Sequence, residues 1–324
     1  MFLNGGIRCT LRFALAFILI PTGFPQTNST QPVSRVRPQN EALTRSMRVN
    51  VNLVLVPVSV TDSLHRPVLN LDKDDFELIE GQEEQEIRTF SQEDEPMSVA
   101  LLLDVSGSMG KKIEILREAV REFFENANPR DDYTVVTVSD RPEVLIRGSQ
   151  SIEDILATLA TVKAAGSTAL LDSVRVAALS LQHARYERRA ILMVSDGLDN
   201  VSRHHLREVA DFIEESNLDV YAIGIKDEGM PFFGNLLEER IDKKLLMRIT
   251  DVTGGNTVVI QSVAELPEIT AHISQAMRNE YLLGYRPGDG AHTRMWRKIK
   301  VKVSAPGESN LRAYYKKQYF TPGD

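Results

Sequence analysis

Five continuous apolar runs punctuate the middle of this chain, at residues 99–103, 134–138, 191–194, 220–225 and 257–260. Runs of that length without polar alternation predict strands buried on both faces, as in a parallel sheet. Between the runs, apolar residues recur at helical spacing. Ile113, Leu116, Val120, Phe123 and Ala127 share one face, and Leu170, Val174, Ala177 and Leu181 share another. Leu206, Val209, Ala210 and Ile213 form a third stripe, and Leu245 and Ile249 belong to a fourth helix stopped by Gly254-Gly255. Alternating strands and helices predict a doubly wound α/β fold with right-handed crossovers and helices on both sheet faces.

The pattern changes toward both ends. Residues 48–61 alternate, with Val49, Val51, Leu53 and Leu55 on one face, which predicts a half-buried strand. The runs 76–79 and 87–90 flank the turn signal Glu80-Gly81, so a short all-β module precedes Ser98. Beyond Asn279, residues 281–285 and 297–303 read as strands and 311–315 as a weaker third. They are placed to pair with the N-terminal strands, leaving the α/β domain inserted in, or flanked by, a small β module. The expected division is 1–25 a signal peptide, 26–47 a disordered linker, 48–95 an N-terminal β module, 96–278 the α/β domain and 279–324 the closing strands.

The first segment rests on Arg8 and Arg12 ahead of an apolar stretch at 13–20, followed by Pro21-Thr22-Gly23, the pattern of a secretory signal. The stretch is short for a transmembrane span. No clean small-x-small cleavage site follows, which leaves an uncleaved anchor open. The expected location is exported: periplasmic, cell-envelope or secreted. Residues 26–47 are rich in Gln, Asn, Ser, Thr and Pro and show no apolar period. Losing residues 1–25 removes two arginines and no acid, taking the net charge from -7 to -9. An acidic chain argues against nucleic acid as the main partner. Its one cysteine, Cys9, lies in the signal, so the mature chain has no disulfide; that suits a bacterial envelope better than an animal extracellular space.

The candidate chemistry sits where the apolar runs end. Asp104-Val105-Ser106-Gly107-Ser108 follows the first run, Ser195-Asp196-Gly197 follows the third, and Gly166-Ser167-Thr168 precedes the second helix. In a doubly wound sheet, ligands bind beyond the carboxyl ends of the strands where strand order reverses. If the strands ending at Asp104 and Asp196 are neighbours there, both carboxylates face one crevice, overhung by the Thr168 loop. Two carboxylates and three hydroxyls make an all-oxygen set for a hard divalent cation. Magnesium suits it best, with manganese or calcium open. Ser106 and Ser108 are two residues apart, so in an extended loop both hydroxyls point the same way.

Asp104-x-Ser106-x-Ser108, Thr168 and Ser195-Asp196-Gly197 resemble the metal-ion-dependent adhesion site (MIDAS) of the von Willebrand factor A (VWA) domain family. The resemblance covers roughly residues 96–277. It implies a Rossmann-like, mainly parallel sheet with one antiparallel edge, for which 143–146 is the candidate strand. It implies a metal site at Asp104, Ser106, Ser108, Thr168 and Asp196, with the hydroxyls coordinating directly and the carboxylates mostly through water. An ion so held keeps residual positive charge and accepts a carboxylate from an Asp or Glu of a protein partner. The flanks, at 56–62, 74–78 and 281–285, are similar to an exported bacterial subgroup of that family.

Other features carry blander readings. Asp199 and Asn200 are read as loop and helix-capping residues, and Gly107, Gly166 and Gly197 as turn glycines. Phe232-Phe233 is read as packing under its loop. His204-His205 is read as a solvated helix start, because adjacent helical residues point about 100° apart. Of Arg297, Lys298, Lys300 and Lys302, three alternate onto one strand face, read as a solvated surface. The favoured function is an exported, metal-dependent protein-binding or adhesion module, not an enzyme. A membrane enters only through an uncleaved N-terminal anchor, the basis of the alternative: an envelope scaffold or assembly factor with a structural metal. A metal-dependent hydrolase stands last, because no general base, nucleophile constellation or phosphate-cradling loop accompanies the site.

Overall fold

Each of the five apolar runs lies within a strand of one six-stranded sheet. The computed structural model describes residues 53–196, 198–225, 236–288 and 295–321, with only the backbone described for residues 93 and 236–242. All belong to the unit Asn50–Asp324. The signal, the linker, the start of the first predicted strand, Gly197 and Phe232-Phe233 lie outside the described residues.

In chain order, β1 (Val54–Thr61), β2 (Phe76–Glu80), β3 (Glu83–Gln85) and β4 (Ile87–Glu93) lead into β5 (Ser98–Asp104). Then come α1 (Ile113–Asn126), β6 (Asp132–Val138), β7 (Glu143–Ser149), α2 (Ile152–Thr161), α3 (Leu170–Ser180) and β8 (Arg189–Ser195). They are followed by α4 (Leu206–Glu215), β9 (Asp219–Ile225), α5 (Leu236–Asp251), β10 (Thr257–Ile260) and α6 (Leu266–Arg278). The chain closes with β11 (Glu280–Tyr285), β12 (Met295–Val303), β13 (Arg312–Tyr314) and β14 (Gln318–Thr321).

The central sheet has the order β10-β9-β8-β5-β6-β7, parallel except for β7, which runs antiparallel to β6 at the edge. Every residue of β5 is buried, and alternate residues serve two separate cores. Val99, Leu101 and Leu103 pack with α1, α2 and α6; Ala100 and Leu102 pack with α3, α4 and α5. That is why this strand reads as a continuous apolar run. The predicted stripe of α3 is fully used, with Leu170, Val174, Ala177 and Leu181 all buried. Helix α6, which the stripes above omit, has Pro at its first turn and buries Leu266, Ile269, Ile273 and Met277 at helical spacing.

The remaining strands form two four-stranded sheets, β13-β1-β11-β4 and β14-β12-β2-β3. β1 pairs antiparallel with β11 from Val54 opposite Tyr285 to Val58 opposite Tyr281. Both sheets contribute to a third core that includes Val58, Leu78, Tyr281, Leu283 and Val301. One pairing differs from expectation. The turn at Gly81, which has φ +64°, joins β2 to the short charged β3 rather than to the strand at 87–90. That strand, β4, crosses to the other sheet and pairs with β11. Glu83-Glu84-Gln85 has no apolar position, so the sequence pattern skips it.

A buried polar knot ties these strands to the amino ends of the central sheet. Arg188 pairs with Glu280 at 2.7 Å and donates to the carbonyls of Met277 and Glu95. The Tyr221 hydroxyl donates to the other Glu280 oxygen at 3.0 Å. Gly254 and Gly255 do more than stop α5. A Cβ on Gly255 would lie 1.9 Å from the Val220 carbonyl oxygen, and one on Gly254 would lie 2.3 Å from the Lys316 nitrogen. A cleft of about 1130 Å³ opens at this joint, lined in part by Tyr186, Asp219, Tyr315 and Tyr319. Among the described residues no helix is long and apolar enough to cross a membrane.

Candidate metal centre

From β5 the chain passes through α1 to β6 and β7 on one side, then crosses back through α2 and α3 to β8 on the other, so strand order reverses at β5. Asp104 is the last residue of β5, and Asp196 follows Ser195, the last residue of β8. The two strands are parallel neighbours in register, Leu103 beside Val194. The register brings both carboxylates to one crevice at the carboxyl edge. There the Ser195 hydroxyl donates to Asp104 Oδ2 at 2.6 Å, linking the strand ends.

Asp104 is fully buried, and its other oxygen accepts from the Ser106 backbone N–H at 2.9 Å. Burial pushes its carboxyl above the ordinary value. Hydrogen bonds from Ser106 and Ser195 oppose that rise, and the neighbouring charge of Asp196 adds to it. After Ser106 the chain enters a tight turn over Gly107–Met109, anchored by the buried Met109. The turn brings the Ser106 and Ser108 hydroxyls within 3.0 Å of each other.

The third loop is bonded to both of the others. The Ala165 N–H donates to the Val105 carbonyl at 2.8 Å, and the Gly107 N–H to the Gly166 carbonyl at 3.0 Å. Gly166 has φ +83°, and a Cβ there would meet Asp140 Oδ1 at 2.8 Å, so this close approach needs glycine. Thr168, itself buried, is gripped from the opposite side: its N–H donates to Asn200 Oδ1, and its carbonyl accepts from the Asn200 and Val201 N–H groups.

Asp199 and Asn200 therefore act across loops. Asp199 Oδ2 accepts from the Leu171 N–H at 3.2 Å, supplying the cap that α3 lacks from its own Ala169. His204 is not simply a solvated residue. Its Nδ1 lies 2.7 Å from Asp172 Oδ1, and Asp172 also accepts from the Arg203 and His204 N–H groups. Burial raises the Asp172 carboxyl, but the His204 and backbone hydrogen bonds outweigh it and hold the group below the usual range. Sequence spacing gave no sign of these clamps, because each joins segments about thirty residues apart.

The donor set fits a hard cation on one specific count. Among the described residues, Asp196 Oδ2 is buried without a hydrogen-bond partner, beside a second carboxylate. A buried acceptor left unpaired is costly, and a divalent cation is the partner that would satisfy both acids at once. Among the described residues no group of three or more His, Cys, Asp or Glu converges. The crevice is built from two carboxylates and hydroxyls, the chemistry of a magnesium-type site rather than of a soft metal.

Comparison with known proteins bears on this half of the chain. Residues 99–198 match the family model of the von Willebrand factor type A domain. Human inter-alpha-trypsin inhibitor heavy chain H4 is 25% identical over 134 residues, 37% of this chain and 14% of that protein. An uncharacterized protein of Borreliella burgdorferi is 24% identical over 183 residues, 48% of this chain and 52% of that one. The chain thus spans only part of the length of either relative. Among solved structures, a von Willebrand factor type A protein from Catenulispora acidiphila aligns over 78% of this chain and 75% of that chain, with a TM-score of 0.48 and 14% identity. The sheet order, with its antiparallel edge, and the family match over 99–198 give the α/β half of this chain a fold like that of the von Willebrand factor type A domain.

Proposed function

We propose that the chain is an exported binding module that holds a divalent cation at the carboxyl edge of its central sheet and uses it to capture an acidic residue of a protein partner. Domains of this family generally mediate protein–protein interaction. The observation that carries the metal is the buried Asp196 oxygen beside Asp104, unpaired among the described residues. Ser106, Ser108 and Thr168 would supply direct hydroxyl ligands, and Asp104 and Asp196 would act mostly through water. Magnesium is the first choice, with manganese or calcium as alternatives. The bound ion would supply an open position that accepts a carboxylate.

The protein's own part is rigidity. Asp104 is held by two donors, and Thr168 is fixed by Asn200. The Ser195 hydroxyl bonds to Asp104 and those of Ser106 and Ser108 to each other, and among the described residues none of these three pairs with a histidine. That favours binding over hydrolysis. Export rests on the basic-then-apolar N-terminus.

The test uses the full chain and labelled peptides bearing Asp or Glu, beside Asn and Gln counterparts, in magnesium and in EDTA. Anisotropy should report binding that needs both the acid and the metal and that Asp104→Ala abolishes. Binding that persists unchanged in EDTA would refute the metal-dependent capture.

A further inference from the structure

The outer face of the sheet β14-β12-β2-β3 carries a pattern that the metal centre does not use. Side chains alternate along β12, so Trp296, Lys298, Lys300 and Lys302 project to the same side, while Ile299 and Val301 enter the core. Arg297 turns inward to Glu80 at 3.2 Å. Phe320 on β14 lies opposite Trp296, and the two rings stack at a tilt with centroids 5.5 Å apart. Both rings stay in solvent, Trp296 at 47% and Phe320 at 49% exposure.

A paired Trp and Phe left half in water is unusual for a solvated sheet face, because burying such rings is strongly favourable. The row of lysines leads directly away from them. Lys302 pairs with Glu77 at 2.6 Å, while Lys298 and Lys300 make no ion pair among the described residues. The acids of the sheet on this face, Glu77 and Glu84, lie on β2 and β3, on the side of the lysine row away from β14, while Glu214 of α4 is held by Gln318, the residue opposite Lys298. The chain as a whole has a net charge of -7, so this basic strip runs against the general charge.

We propose that the β12–β14 half of this face docks on an anionic lipid surface, with Trp296 and Phe320 at headgroup level and Lys298 and Lys300 against the headgroup charges. The indole of Trp296, apolar with one polar N–H edge, prefers that depth, Phe320 adds apolar area beside it, and the long lysine stems let the ammonium groups reach lipid phosphates. An acidic protein would match the lysines but would not require an exposed aromatic pair beside them. The proposal is independent of the metal centre, which lies at the carboxyl edge of the central sheet.

Trp296 is the only tryptophan of the chain, so its emission reports on this face alone. The full chain would be titrated with vesicles of phosphatidylglycerol and phosphatidylcholine, and separately with phosphatidylcholine alone. The emission should shift to the blue with anionic vesicles only, and high salt should reverse the shift. Insertion of the apolar stretch at 13–20, which has no tryptophan, would not produce it. Lys298→Glu with Lys300→Glu should weaken the vesicle dependence at least tenfold, given about fivefold for each basic group near such a surface. Phe320→Ser, a smaller perturbation of the fold, should weaken it also, and Asp104→Ala or EDTA should leave it unchanged. The proposal is overturned by no shift with anionic vesicles, by an equal shift with neutral ones, or by full binding in the lysine variant. A shift produced by heparin but not by vesicles would likewise overturn it.

Discussion

Asp219 offers a quantitative test of the joint between the sheets. It is the first residue of β9 and lines the cleft of about 1130 Å³. Burial raises its carboxyl, and the charge of Glu280 raises it further; Arg188 and Lys316 oppose this, and the balance leaves it at about 8. A carboxyl that titrates higher in the folded than in the unfolded chain binds its proton more tightly when native. Stability therefore falls as pH rises from about 4 to about 8, and the loss is complete above that window. At about 1.4 kcal/mol per pH unit, the full span sets a ceiling of roughly 6 kcal/mol. Asp219 is only partly buried at the cleft, and the two nearby cations lower the cost, so we expect about 1–2 kcal/mol. Asp219→Asn removes the charge at nearly constant shape. Urea unfolding followed by circular dichroism should find the two proteins equal near pH 4 and the variant more stable by that amount near pH 8. A gap that does not change with pH would refute the assignment of this carboxyl as a buried, like-charge neighbour of Glu280.

Two further substitutions probe packing and the crevice. Gly255→Ala would place a methyl 1.9 Å from the Val220 carbonyl oxygen, and Gly254 and Gly255 pack on backbone, which cannot yield cheaply. We expect a loss of about 3 kcal/mol or more by thermal denaturation; an unchanged Tm would contradict the close approach described here. Asn200→Ala removes the acceptor for the Thr168 N–H. It should cost about 1 kcal/mol of stability and weaken metal affinity about tenfold, read by calorimetry, because it frees a loop that carries a proposed ligand. Unaltered affinity would exclude Thr168 from the site.

Much of the central domain was legible because its information is local. β5 and β8 are buried on both faces, so their sequences are continuous apolar runs, and α3 shows its whole stripe. The residues of the candidate centre stood out because they cluster at or just beyond strand ends, or just before a helix. The pairing of β4 was not legible. Its partner β11 lies almost two hundred residues away, and the local turn at Gly81 suggests a hairpin that the chain does not complete with that strand. Asp199, Asn200 and Asp172 were invisible as clamps for the same reason, since their partners come from other loops. The Trp296–Phe320 contact depends on the short strand β14, four residues with no strong period.

The central claim is that this crevice binds a divalent cation. Isothermal titration of the full chain with magnesium and with manganese, beside Asp104→Ala, tests it most directly. The account predicts saturable binding to the unaltered chain and none to the folded variant. Absence of binding of either ion to the folded, unaltered chain would contradict it.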